Sequence, residues 1–453
     1  MNDYENYMND IFKLSPIERF VFGKRDKNTL SHYDNHLSNE YINKELKIID
    51  KYKYTSDIEL KYILEISKYS IDNKLYLLLF SSFENNITIF LDENDNLYPK
   101  NALFKKSRNK DFDILIKTSI ERAKEGLKLK ITYPKMIIKK YMNEIKKYNR
   151  FSFLYNFLKN HYYPFCRNEI GICYLKNGKD IYTNLLKENI GFLDISPVEI
   201  HKLGLNLLKD VKKNVKIELY KSRIEMFDDC LKYSTYIYNN ILEKYFNYKP
   251  KKPFIIEEID KNNEKYSPLA YYKPLEHKIF INLSYFNEIS KNELYPLIMH
   301  ECLHSFHFDY MKFYKIPKYK YYKYFNTALV EGFAFYMETY CENYDDNNNM
   351  SLLRKLRLVV DTGINYYGWT YKKAFDFMKS YIPNKNTDIK NEIERYICIP
   401  TQSLSYMIGK LHIIKLRDEY LKKGGDIKNF HHLLLIEGLA SFKTIDNQFY
   451  SNS

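Results

Sequence analysis

The sequence predicts a mainly α fold with one small β-sheet. Three observations carry this reading. Gly and Pro number 13 each among 453 residues, about 3% against usual values of about 7% and 5%, so tight turns are few. Apolar residues recur at helical spacing along most of the chain. One short β-prone run, His277 to Leu283, interrupts them.

Residues 1–50 read as a helical start with a loop around Gly23–Tyr33. Leu60 to Leu78 carries apolar residues at helical spacing, and Ile114 to Leu158 does so again with Lys on its exposed side. Gly171 and Gly178 mark Asn168 to Asp180 as a turn region. Ser196-Pro197-Val198-Glu199 combines a capping box with Pro at the first helical position, opening a helix through Ile200, Leu203, Leu205 and Leu208. Residues 245–275 are polar with four prolines and are expected to form a linker or surface loop. Helical patterns resume at Ser290, where Ser290, Glu293 and Pro296 supply start signals, pause at Asn343–Asn349 and continue to about Ala440. The expected organisation is a helical N-terminal half, 1–245, and a core over 246–453, together forming one continuous unit.

With 45% hydrophobic and 28% charged residues the chain is globular, which excludes a disordered or fibrous class. The net charge of +14 is discounted as a ligand signal, because Lys, Asn, Ile and Tyr are in excess together, as a shared compositional bias would produce. The first ten residues are acidic and lack the apolar run of a signal peptide. The longest apolar stretch, Leu75 to Phe80, falls far short of the roughly 18 residues of a membrane span. Six cysteines (166, 173, 230, 302, 341, 398) form no CxxC pair and read as reduced thiols. A cytoplasmic protein without a membrane partner is expected.

Residues 297–308 contain His300-Glu301-Cys302-Leu303-His304, a complete HExxH. On a helix, positions i and i+4 share a face, so two imidazoles converge on one ion and the adjacent Glu301 serves as base toward a metal-activated water. The alternative is a buried helix whose His bond to backbone or carboxylates. The next helix begins at Asn326, an N-cap, and carries Glu331 in an apolar stretch where a carboxylate is costly unless paired or metal-bound. Gly332 beside it is expected to let this helix approach the HExxH helix closely. An HExxH helix plus a Glu from a later helix is the gluzincin pattern; the alternative for Glu331 is a salt bridge. The expected site is one Zn2+ per chain on His300, His304 and Glu331, in a zincin-like helical catalytic domain with a short substrate-side sheet. Cys302 points away from the ligands and reads as core.

Several segments in fixed order then resemble the family known as domain of unknown function eight hundred and eighty-five, bacterial proteins regarded as gluzincin-like metallopeptidases, many of them lipoproteins. Glu331-Gly332-Phe333-Ala334-Phe335-Tyr336-Met337-Glu338 is similar to its Glu-Gly-Trp-Ala-x-Tyr-x-Glu segment. Arg357 to Gly363, with Gly368-Trp369-Thr370, resembles its Arg-Leu-Val-Val-Asp-Thr-Gly segment. Arg395-Tyr396, Pro400-Thr401-Gln402, Tyr406 and Gly409 resemble its Arg-Tyr…Pro-Gly-Gln-x-x-x-Tyr-x-x-Gly run, and Leu416-Arg417 with Phe430-His431 its closing segment. Upstream, residues 178–182 and 199–205 fit as well. The resemblance implies a metallopeptidase fold and activity, with peptide as substrate. Three departures stand out. The family's HExxPGHH places its last His at His307, but on an unbroken helix His300 and His307 lie about 10.5 Å apart along the axis, which favours His304 with His307 as runner-up. Asn365 stands where the family often has His. The family's lipoprotein signal is missing.

Tyr406 is the candidate hydrogen-bond donor to a developing oxyanion, with a structural role as alternative. Arg395 and Arg417 are candidate substrate-carboxylate anchors or plain ion pairs. Asp361 and Glu338 could orient a ligand imidazole, or cap and pair. The run Ile279 to Leu283 is either an edge strand for an extended peptide or an interior strand. Met311 to Phe325 interleaves five lysines with five tyrosines, a pattern of single-stranded nucleic-acid grooves; a solvated loop beside the site is favoured over nucleic-acid binding. The expected function is a zinc-dependent peptidase. A catalytically silent zincin scaffold that binds without turnover is the alternative, motivated by Asn365 and Thr401.

Overall fold

The computed structural model describes residues 2–15, 38–77, 109–146, 149–209, 211, 218–264, 267–274, 276–321, 326–342, 344–382 and 386–451. The segment around Gly23–Tyr33 lies outside them. The architecture is mainly helical with one three-stranded sheet. Two compact units interleave along the chain: the first comprises Met1–Asn184, Gly363–Phe377 and Lys385–Pro400, the second Leu185–Thr362, Met378–Asn384 and Thr401–Ser453.

In the first unit, helices Asp3–Leu14, Asn39–Tyr52 and Ile58–Asp72 each begin at a side-chain cap, from Asn2, Ser38 and Asp57, which satisfies an otherwise orphaned backbone N–H. Their apolar faces meet through Tyr7, Met8, Ile11, Leu60 and Ile63, all buried. Within the segment read as a turn region, Gly178 opens the helix Gly178–Asn189. Gly171 sits where a Cβ would lie 2.0 Å from the Ile364 carbonyl oxygen, so no other residue fits there.

The second unit carries the sheet and the HExxH helix. Ser196 and Glu199 form the expected capping box on Pro197–Leu207. Residues 245–275 are not a linker: they contribute β1 (Ile256–Glu258) and β2 (Ala270–Lys273) to a sheet completed by β3 (Lys278–Ile281). The order is β1-β3-β2, with β1 parallel and β2 antiparallel to β3. The edge-strand reading of Ile279 to Leu283 is therefore overturned. β3 is paired on both sides, buries Ile279 and Ile281, and β2 is an outer strand. The polar character of 245–275 reflects outer strands that are only partly buried, not the absence of structure.

Four helices build the candidate site: α1 (Lys291–Phe313), α2 (Thr327–Glu338), α3 (Asn349–Asn365) and α4 (Ser405–Lys422). Ser290 donates to Glu293 from both its backbone N–H (3.2 Å) and its hydroxyl (2.8 Å), fixing the start of α1. Pro296 lies inside α1 rather than marking its start. Leu294, Leu297, Ile298, Met299, Cys302, Leu303 and Phe306 are buried around nearly the whole circumference, as a helix apolar on all sides requires.

Asn326 caps α2 by accepting from the Leu329 N–H at 3.0 Å. Gly332 does not serve the approach to α1. A Cβ there would lie 2.5 Å from the Gly409 backbone, and one on Gly409 would lie 1.9 Å from the Ala328 carbonyl oxygen. Two small residues thus bring the α2 and α4 backbones into contact. Gly409→Ala is expected to force these helices apart and destabilise the protein by about 1–3 kcal/mol, read as a lowered urea midpoint with the same slope.

Candidate metal centre

α1 presents His300 and His304 one turn apart, and α2 carries Glu331 toward them. One ligand atom from each lies within 4.8 Å of those of the other two. The Glu331 Oε2 is 3.1 Å from His300 Nε2 and 3.5 Å from His304 Nε2. Two imidazole nitrogens and one carboxylate oxygen at a common point are a donor set suited to Zn2+. His307, the runner-up ligand, is enclosed by the core of the unit, with its ring centroid 5.7 Å from that of Phe333. Burial, together with nearby His304, pushes it down to about 3. α1 runs unbroken through these positions, so the seven-residue separation keeps His307 away from His300.

A second layer holds His300. Its Nδ1 is 2.8 Å from Glu338 Oε1. Glu338 is grasped by Arg354 of α3 through Nη1 at 3.1 Å and Nη2 at 2.9 Å. The Arg354 guanidinium also lies 4.2 Å from the centre of the Phe335 ring. A carboxylate locked to a guanidinium accepts, so Nδ1 carries a ring proton; Nε2, which donates to Glu331 in the metal-free protein, is the nitrogen left to offer its electron pair to a cation. Glu338 is among the sequence's candidates for this place and Arg354 is not; its one mark in the sequence is a charged residue at an apolar-helix position, which must have a buried partner.

The electrostatics follow from these contacts. Burial works against charge on His300, but its hydrogen bonds to Glu331 and Glu338 outweigh it and lift the imidazole to about 9. Burial also works against the Glu331 carboxylate, and His300 and His304 reverse this to hold it well below the usual range. Glu301, 7% exposed, is raised by burial and by Glu331, partly offset by the two His and by a hydrogen bond from the Tyr272 backbone N–H. Burial lifts the Cys302 thiol well above its usual value, in keeping with a core role.

These shifts define a pH response. A proton on His300 stabilises the metal-free fold fully below about pH 6.5, and this is lost as pH rises through about 9. A cation at Nε2 must displace that proton. Zinc affinity is therefore expected to rise about tenfold per pH unit between 7 and 9 and then level off, measured by competition with a chelating dye. Glu338→Gln, which keeps the shape but loses the charge, is expected to weaken zinc binding about 10–100-fold in the same assay.

Of the other candidate residues, Tyr406 lies beside His300, while Asp361, Arg417 and Arg395 are engaged by local partners. The Tyr406 ring lies parallel to that of His300, centroids 6.2 Å apart and planes at 12°. The Arg357 guanidinium lies 4.8 Å from the Tyr406 ring centre. Asp361 is engaged by the Thr401 N–H at 3.1 Å and the Ser403 hydroxyl at 3.0 Å. Arg417 pairs with Asp418 at 2.6 Å and Arg395 with Glu392 at 3.4 Å. In the basic segment, Phe313 stacks on Tyr248 at 4.3 Å and Tyr310 packs on Tyr314 at 4.5 Å. These rings are occupied by protein partners, and residues 322–325 lie outside the described set.

Residues 148–448 match the family described as bacterial protein of unknown function, DUF885. The chain belongs to this family. No curated protein matches it. Among solved structures, one described as the "putative lipoprotein" of Colwellia psychrerythraea is similar over 99% of this chain and 97% of its own, with 18% identity and a TM-score of 0.76. A second, a "putative lipoprotein of unknown function" from Shewanella oneidensis, is similar over 100% of this chain and 99% of its own, with 15% identity and a TM-score of 0.64. Both likenesses concern the fold. Among the described residues no helix is long and apolar enough to cross a membrane.

Two residues that differ from the DUF885 segments, Thr401 and Asn365, have local explanations. Thr401, standing for a family Gly, adopts φ +72°, a left-handed conformation that a β-branched residue rarely takes. Asp361 on its N–H, with its hydroxyl bonded to the Leu185 carbonyl (3.1 Å) and to the Asn189 amide (2.9 Å), holds it there. Asn365 accepts from the Ile172 N–H at 3.3 Å and donates to the Tyr396 carbonyl at 2.9 Å, clasping two backbone segments of the first unit.

Proposed function

We propose that the chain is a zinc-dependent peptidase of gluzincin type with a zincin-like catalytic domain. The observation that carries this is the convergence of His300, His304 and Glu331 from two helices within 4.8 Å, with Glu301 next in sequence to the first ligand. His300, His304 and Glu331 would hold a zinc ion, which would supply Lewis acidity toward a carbonyl and toward water near neutral pH. Glu301 takes the proton from the attacking water and returns it to the leaving amine nitrogen. A carboxyl raised by burial is better matched to that proton shuttle than an ordinary one. Tyr406, stacked beside His300, donates toward the charge that develops on the carbonyl oxygen. Glu338 and Arg354 keep the His300 ring fixed in its donor tautomer.

The test is a mixed peptide library incubated with zinc-loaded protein and read by mass spectrometry. Cleavage that a chelator suppresses and zinc restores is expected. Zinc-loaded, folded protein that cuts no peptide would overturn the peptidase reading.

A further inference from the structure

Beside the candidate centre, three side chains tie the sheet to α1. The Tyr272 hydroxyl of β2 is 2.7 Å from His277 Nδ1, and His277 Nε2 is 2.9 Å from Asp309 Oδ2. Tyr272 also bonds the Ser305 hydroxyl, and its ring packs 5.7 Å from Phe308. His277 sits in the β2–β3 turn at φ +56°, a left-handed backbone that both its ring nitrogens hold in place. Asp309 lies eight residues beyond Glu301, about 12 Å along α1. The backbone N–H of Tyr272 donates to Glu301 itself. One residue of an outer strand therefore touches the proposed general base through its main chain and is anchored two turns away through its side chain.

We infer that Tyr272, His277 and Asp309 form a latch that fixes β2 on α1 and so positions Glu301; this rests on the peptidase reading for its catalytic consequence. A four-residue outer strand, paired to β3 on one side, belongs to the class of elements that open locally. A base displaced by about 1 Å can lose about a hundredfold in rate. The three are positioning residues: none is assigned contact with substrate or the reacting atoms. Their contacts run between strand, turn and helix, so the latch controls where the Tyr272 N–H stands rather than the charge of the centre.

The test uses His277→Ala and Tyr272→Phe, the second removing only a hydroxyl, in the full chain loaded with zinc. Amide hydrogen exchange over residues 270–273 is expected to quicken about tenfold or more. With zinc content unchanged, kcat is expected to fall about 10–100-fold. His277→Gln, whose amide accepts from Tyr272 and donates to Asp309, is expected to restore most of both. Unchanged exchange in both variants overturns the latch, and faster exchange with unchanged kcat overturns its positioning role. Wild-type protein that cuts no peptide would sink the peptidase reading, while exchange still decides whether the latch exists.

Discussion

Glu301→Gln is expected to keep one zinc per chain and to lose peptide hydrolysis by about 10²–10⁴-fold in kcat. The amide preserves size and can still bond the Tyr272 N–H, but it cannot accept and release a proton. Glu301 is not among the converging donors, His300, His304 and Glu331, so metal content should not change. Because burial and Glu331 disfavour charge on Glu301, the neutral substitute should fold at least as well, with an unchanged or higher melting temperature. Steady-state rates together with metal analysis separate the roles: loss of zinc along with activity would make Glu301 a structural element of the centre instead of its base.

Glu331→Ala is expected to abolish tight zinc binding, with affinity falling more than about 100-fold, beyond what loss of an outer partner such as Glu338 produces. Two imidazoles one helical turn apart remain, but the carboxylate joining them is gone. The same change strips His300 of a carboxylate whose hydrogen bond raises it. Metal-free Glu331→Ala should therefore lose part of the added stability that the wild type shows below pH 9, the part that Glu338 supplies remaining. Calorimetric zinc titration and melting curves at pH 6 and 9 read both effects. Undiminished zinc binding would remove Glu331 from the ligand set.

The HExxH helix and the Glu331 helix are legible in the sequence because each marks itself with a cap and an apolar surround, and because histidines four residues apart share a face one turn apart on such a helix. His304 over His307 follows from the same geometry, with no Pro or Gly after 300 to break α1. What stays hidden is long-range. Nothing near residue 354 reveals that Arg354 closes on Glu338 sixteen residues earlier. Gly332 announces a close approach but not its partner, which proves to be Gly409. The 245–275 segment reads as a linker because its strands are short and proline-flanked, and only pairing with β3 makes them a sheet. The interleaving of the two units is equally invisible, since a boundary falling after Thr362 within α3 leaves no mark in composition.

Metal content of the full chain, purified without added zinc and measured by mass spectrometry of the elements, decides whether His300, His304 and Glu331 grip a cation. One equivalent of zinc per chain, removed by a chelator and retaken on titration, is the predicted result. A folded protein that carries no divalent metal and takes up none at micromolar zinc would contradict it.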